Sequence, residues 1–432
     1  MNTLRRLLNP TNKIFLNISS FQVLVMFRRG LFFTYLSIYL RNYLGMTVTE
    51  TTFFATFPMI MNVVCQTFIW GNLSDKFQLR RTLIIIGEVM AALFTFAIWY
   101  VHILPESKLM AAYLLTIGLT VVEFFWSMSN VAWSALLSDL YPPEQRTGLQ
   151  GQMASVGAIG RFIGIISGGL LYDGLGKHFE GWGFSGGALF FIAGGVMIIS
   201  AIPMLFVPEG GIKKTTETKP DMAITVKLSK YSLSKKYAVF LLAVLFINFG
   251  ANSIVLFKPQ YLVLDDGFNV SSQLLSYILS MTTVAVLIVG LITKPLSRKI
   301  SDETMMIWGV IFGILSLTGF ALSLNLVSIF ISDFCNGVSM VLVLASSYTI
   351  ASKLIPAVKR GRQFALFNAA MFLSWGLPGT IITGPLIDGL IKAGTTDIFA
   401  YKIAFWTAAA IMALGLITLL IDFRIKDNPQ NK

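Results

Sequence analysis

Residues 71–81 read GNLSDKFQLRR, a short polar break between two long apolar runs in a 432-residue chain that is 55% hydrophobic and 12% charged. The mean hydropathy of +0.73 exceeds what a soluble fold can bury. The apolar runs are about 20 residues or longer, the length a helix needs to cross roughly 30 Å of hydrocarbon. They are continuous rather than alternating, and backbone groups in lipid must be satisfied internally, so helices and not barrel strands are the expected spans. Polar loops between such spans point to a multi-span membrane transporter.

Working outward from that break, about twelve spans are expected, near residues 15–40, 53–70, 82–103, 110–135, 150–172, 186–207, 238–263, 272–293, 304–324, 326–350, 363–387 and 399–422. An even number puts both termini on one side. The two tails and the loops on their side hold 24 of the 33 Lys and Arg residues, including seven lysines between 213 and 236. The opposite loops hold Arg41, Lys108, Lys177, Lys392 and Lys402. Cationic loops stay in the cytoplasm, so both termini are expected there. The formal charge of +12 is therefore an orientation signal and not a nucleic-acid footprint. The basic start, MNTLRRLLNP, leads into a full-length span without a small-residue cleavage site and reads as a retained helix. Cys65 and Cys335 both fall in apolar runs and form no framework.

Residues 208–237 are the longest polar stretch, expected as a cytoplasmic linker between six-helix halves at 1–207 and 238–432. The halves share short matches. Tyr39-Leu40 before Gly45 corresponds to Tyr261-Leu262 before Gly267, Arg146 to Arg360, and GLLYDG at 169–174 to GPLIDG at 384–389. Carriers built from repeats bind substrate near the midplane between the halves and rock one half against the other.

GNLSDKFQLRR resembles the loop signature between spans two and three of the major facilitator superfamily, roughly GxLaDrxGrrr. The residues that carry the resemblance are Gly71, Asp75, Lys76, Arg80 and Arg81, with Gln78 where the family usually has Gly. Gly71 would let the helix end turn closely, Asp75 would cap a neighbouring helix, and the cations would pair with acids during rocking. The second-half counterpart, KPLSRKIS at 294–301, has Arg298 in place of the acid. Asp139, Pro142 and Arg146, then Gly151, Gly160, Gly164, Gly168 and Gly169, resemble the glycine spacing of the twelve-span drug/proton antiporter branch, with Ile165 replacing a proline. These glycines give a smooth face for close helix packing. The resemblance implies an all-α fold of two pseudo-symmetric six-helix bundles. That branch usually carries an arginine in span four, where this chain has Thr120, with Glu123 one turn later.

Charge within the spans is expensive and marks function or pairing. The cations are Arg28, Arg29, Arg161 and Lys258, and the acids are Glu88, Glu123 and Asp333. Burial disfavours an ionised carboxylate, which suits Glu123 to proton binding, with Arg161 and Glu88 completing the expected coupling set. Adjacent helical residues are about 100° apart, so at most one of Arg28 and Arg29 points straight at a cavity, where Glu123 is its expected partner. Lys258 and Asp333 sit nearer the outer third and are expected to snorkel. Tyr35, Asn62, Trp126, Asn130, Asn252 and Asn336 are the further expected substrate contacts, in a lining that also draws on Gln66, Phe124, Phe125, Trp133, Asn368 and Trp375. His102 and His178 fall on outer loops, and no metal-ligand cluster or P-loop is present, which argues against metal chemistry and ATP-driven transport.

The resemblance thus implies a proton-coupled exporter of amphipathic small molecules working by alternating access, with protons and substrate competing at Glu123. The alternative is a carrier of an anionic metabolite held by an arginine of the first span. From another class, a lipid flippase or a non-transporting receptor would need a lateral apolar opening or an absence of flux. No nucleophile-base constellation supports an enzyme. The expected partners are a small-molecule substrate, protons and the lipid bilayer, with no cofactor, for a monomer in the cell membrane.

Overall fold

The computed structural model describes residues 10–141, 143–175, 181–211, 234–355, 366–367, 370–371 and 374–424. Among these residues the structure is all-helical, and eleven helices are long and apolar enough to cross a membrane. The spans are α1 (Pro10–Ile38), α2 (Val48–Cys65), α3 (Arg80–His102), α4 (Lys108–Leu140), α5 (Pro143–Tyr172), α6 (Ala188–Leu205), α7 (Lys235–Ser253), α8 (Ser272–Leu296), α9 (Asp302–Leu322) and α10 (Leu326–Leu354). A shorter α11 (Gly384–Lys392) and the long α12 (Asp397–Arg424) complete the order. The run expected at 363–387 falls partly outside the described residues, as do Pro142, His178, Asn368, most of the 208–237 linker and the side chains of Asp75 and Arg146.

Polar residues placed just before each apolar run start the helices. Thr47 and Glu50 form a reciprocal capping box on α2, while Ser107, Ser234, Ser271, Ser301 and Asn325 cap α4, α7, α8, α9 and α10. Large apolar side chains such as Leu93, Ile117, Leu291, Leu315, Ile331 and Leu414 are exposed on the outer faces. Lipid is the solvent that such a surface requires.

Helices α1 to α6 pack among themselves, as do α7 to α12, and the two sets meet chiefly through α5 with α8 and α2 with the α11 region. Polar contacts between the sets gather at the end distant from the chain termini. Ser272 donates to the Gly169 carbonyl at 2.9 Å and to Asp173 at 2.5 Å. Asp388 accepts the backbone N–H groups of Val48 and Thr49. Thr56 pairs with Thr380, and Gln260 reaches the Ser37 carbonyl.

At the terminal end, the helix runs through Gly71 as far as Phe77 and stops at Gln78, which adopts the left-handed conformation at φ 55°. The stop therefore comes seven residues later than the expectation for Gly71. Arg80 is buried and bonds to Ser74 and to Asp139, while Arg81 pairs with Glu209. Asp139 also accepts the backbone N–H of Gly211 at 2.9 Å. These partners lie in the first set or in the residues just after α6. Lys76 lies over its neighbour Phe77.

A candidate substrate and proton site between the helix sets

Glycine decides how α1 presents its two arginines. A Cβ on Gly160, Gly164 or Gly168 would run into the α1 backbone at Val23, Phe27 or Leu31, and one on Gly30 would strike the backbone of Arg161. Helices α1 and α5 therefore lie backbone to backbone, and the rotation of α1 is fixed. Tyr35 is part of this seam: it is fully buried, donates to the Ile165 carbonyl at 2.8 Å and stacks on Tyr172. The expected substrate contact Tyr35 is thus buried in the seam, where it also bonds to Ser276 of the second set.

The fixed rotation sends Arg28 inward. Its Nη1 lies 3.0 Å from Glu88 Oε2, both side chains are buried, and Ser129 donates to the other Glu88 oxygen at 2.9 Å. Of the two arginines expected as partners for Glu123, Arg28 pairs instead with Glu88 on α3. Arg29 is half-buried. The two guanidinium carbons lie 4.2 and 4.3 Å from the ring centre of Trp126, a cation–π contact to each. Among the described residues, the Nε and Nη2 atoms of Arg28 and Nε1 of Trp126 are buried donors without an acceptor.

Glu123 is buried one turn before Trp126, with Oε2 accepting from Asn62 Nδ2 at 2.6 Å. The charges that act on it most are Arg29 and Arg28, then Glu88. A fixed pair with Arg161 is absent. Arg161 is exposed in mid-helix, and the acid that acts on it is Asp333 of the second set. It also bears on Arg29, so it faces the space between the sets.

In the second set, Lys258 and Asp333 are buried and paired, where snorkelling was expected. Asp333 also accepts from the Thr282 hydroxyl at 2.8 Å and its N–H at 3.0 Å, and Asn336 contacts the same hydroxyl at 3.4 Å. The span carrying Lys258 breaks after Ser253 and restarts as Lys258–Val263, because Pro259 has no N–H and fits only a first helical turn. Asn130 and Asn252 are half-buried on α4 and α7. His102 ends α3, buried against the Tyr39 hydroxyl at 3.1 Å, and is not a loop residue as expected.

Two ion pairs thus cancel within their own sets. Among the described residues, Arg29 and Arg161 have no carboxylate within 4 Å; Glu123 is the acid that acts most on Arg29, and Asp333 the one that acts on Arg161. No group of His, Cys, Asp and Glu among the described residues could hold a metal ion.

Two sets of spanning helices with charge concentrated between them define a membrane transporter. The family model described as the Major Facilitator Superfamily matches residues 18–379, and the chain belongs to that family. No curated protein sequence matches it significantly. Solved structures share the fold at low identity. The nucleoside transporter NupG is 15% identical with a TM-score of 0.73, over 96% of this chain and 100% of that one. A bacterial homologue of the lysosomal transporter Spinster, inward-facing and unoccupied, is 15% identical with a TM-score of 0.61, over 98% and 99%. A bacterial homologue of the iron transporter ferroportin, also inward-facing, is 13% identical with a TM-score of 0.65, over 95% and 99%.

Proposed function

We propose that this transporter carries a small amphipathic anion together with a proton by alternating access. The observation that carries the reading is the surplus of donors over acceptors among the described residues: Arg29 and Arg161 lack a carboxylate partner within 4 Å, and Arg28 and Trp126 keep buried donors unused. Guanidinium groups bind carboxylate and phosphate through paired donors. The exposed ring of Phe33, parallel to the buried Trp126 at 6.4 Å, offers an apolar surface for the rest of the molecule.

Glu123 supplies the coupling. Ionised, it offsets the charge of Arg29 and opposes an incoming anion; protonated, it releases that charge to the substrate. Proton and anion therefore bind cooperatively, which is symport. This departs from the competition expected for a cation exporter. The substrates of the structural neighbours differ from one another and do not select one for this chain. Rocking would occur between the halves at 1–207 and 238–432, with the 208–237 linker and both termini in the cytoplasm of a monomer in the cell membrane. On that orientation, the contacts at the far end would close the outer side.

A second reading, export of amphipathic cations against protons, has in its favour the α5 glycine series. Those glycines seat α1 on α5, which either direction of transport requires. Flux into proteoliposomes under an imposed pH gradient separates the readings. Organic-anion uptake that follows protons and falls with Arg29→Ala supports the symporter, whereas cation flux opposed to protons supports the exporter.

A further inference from the structure

A line of side-chain amides joins Glu123 to the motif at 71–81. Asn62 Nδ2 donates to Glu123 Oε2, and Asn62 Oδ1 accepts from Gln66 Nε2 one helical turn on. Gln66 opens a π-turn, Gln66–Trp70, closed by the N–H of Gly71 on the Gln66 carbonyl.

The π-turn has a geometric consequence. At about 100° per residue, Asn62 and Trp70 in an unbroken α-helix would point about 80° apart, whereas one inserted residue returns them to within about 20°. Both therefore face α4 and meet adjacent residues. Asn62 holds Glu123, and Trp70 Nε1 donates to the Phe124 carbonyl at 2.8 Å. From Gly71 the helix continues to Phe77, and Arg80 ties the following turn to Asp139 near the far end of α4.

The direction of the amide line depends on the carboxyl group. An ionised carboxylate only accepts, so Asn62 must turn its NH₂ toward it and its oxygen toward Gln66, which must then donate. A proton on Oε2 sets a donor against a donor. The contact is restored when Asn62 rotates to present Oδ1, and Gln66 must then present its own oxygen to the Asn62 NH₂. An unmade buried hydrogen bond is expensive, so the two rotations are linked.

We propose that Asn62 and Gln66 are positioning residues that pass the protonation state of Glu123 to the π-turn that follows α2 and through it to the 71–81 segment. This rests on the reading of Glu123 as the proton site. Arg28 and Arg29 on α1 and Glu88 on α3 face Glu123 as well, with Arg161 on α5 acting on Arg29. Those charges govern when the proton binds, and the amides govern what its binding moves.

The test follows two signals in the full-length protein in lipid nanodiscs as pH is varied, with Cys65 and Cys335 replaced by Ala. One is the infrared carbonyl band of protonated Glu123, assigned by its loss in Glu123→Gln. The other is the spin-label distance between exposed positions Phe77 and Lys299. In the parent protein, distance and band should change together. Gln66→Met keeps length without the amide and should leave the band titrating while the distance change loses more than half its amplitude. Asn62→Leu is the second variant, with the same distance effect expected. A distance change that still follows the band in both variants would overturn the relay alone. A band that survives Glu123→Gln would overturn the proton-site reading and the relay with it.

Discussion

The carboxylate of Asp388 accepts the backbone N–H of Thr49 at 2.8 Å, so an acid of the second helix set rests on the first turn of a helix in the other. Val48 donates to its second oxygen at 3.0 Å. Asp173 accepts from the side-chain hydroxyl of Ser272, at 2.5 Å on the first turn of α8, where Asp388 accepts backbone N–H groups. The two acids occupy equivalent places in the repeated segments GLLYDG and GPLIDG. Negative charge at a helix N-terminus is favourable, so the repeat forms a two-point latch across the halves.

Opening of that end should respond to either acid. Helix-capping contacts are typically worth about 0.5–2 kcal/mol, so Asp388→Ala or Asp173→Ala should shift the equilibrium roughly 2- to 30-fold toward opening there. Spin labels at the exposed positions Lys108 and Asp266 report it as a longer mean distance. An unchanged distance in both variants would remove the latch from the transport cycle.

Arg28 and Glu88 should behave as a buried pair. Removing one partner strands a charge in the bundle, so Glu88→Ala should lower stability by about 3–5 kcal/mol. The double replacement Arg28→Met with Glu88→Leu should recover most of that loss, because it removes both desolvation penalties. Unfolding in detergent, followed by circular dichroism, measures both. A double variant as unstable as Glu88→Ala would assign the loss to packing and not to charge.

Glycine substitutions should divide by what each Cβ would meet. Gly164→Ala drives a methyl group into the Phe27 carbonyl and should cost about 1–3 kcal/mol by overpacking. Gly195→Ala meets open space on α6 and should be neutral or stabilising by up to about 1 kcal/mol. In the other direction, Gln78→Gly should gain about 1 kcal/mol, since Gln78 holds a left-handed backbone that glycine adopts freely. Equal effects of Gly164→Ala and Gly195→Ala on unfolding would refute the seam.

The sequence makes the spans legible because length and hydropathy alone specify a helix in lipid, and the apolar runs return as helices across the described residues. Partners are harder to read. A helix apolar on all sides carries no signal for which face turns inward, so Tyr35 reads as a cavity residue until the glycine seam sets the rotation of α1. The same rotation decides that Arg28 meets Glu88. The π-turn at Gln66–Trp70 shifts the phase of everything after it, and no residue in QTFIW announces it. Gln78 is the reverse case: its departure from the family's glycine marks the position where the backbone turns left-handed.

Transport should lose its pH dependence in Glu123→Gln, with a sign that follows from charge. On the proposed reading, acid pH should neutralise Glu123, leave Arg29 unopposed and favour the anion, while alkaline pH should restore the carboxylate and weaken binding. Glutamine is permanently uncharged, so anion affinity at alkaline pH should rise to the parent's acid-pH level, and a proton gradient should no longer drive accumulation. Arg161→Ala should weaken affinity about 10- to 100-fold at every pH, the loss of a charged hydrogen bond worth about 1.5–3 kcal/mol. Binding measured by calorimetry in detergent, beside counterflow in proteoliposomes, separates affinity from coupling. A Glu123→Gln protein that still concentrates anions under a proton gradient would move the coupling site elsewhere.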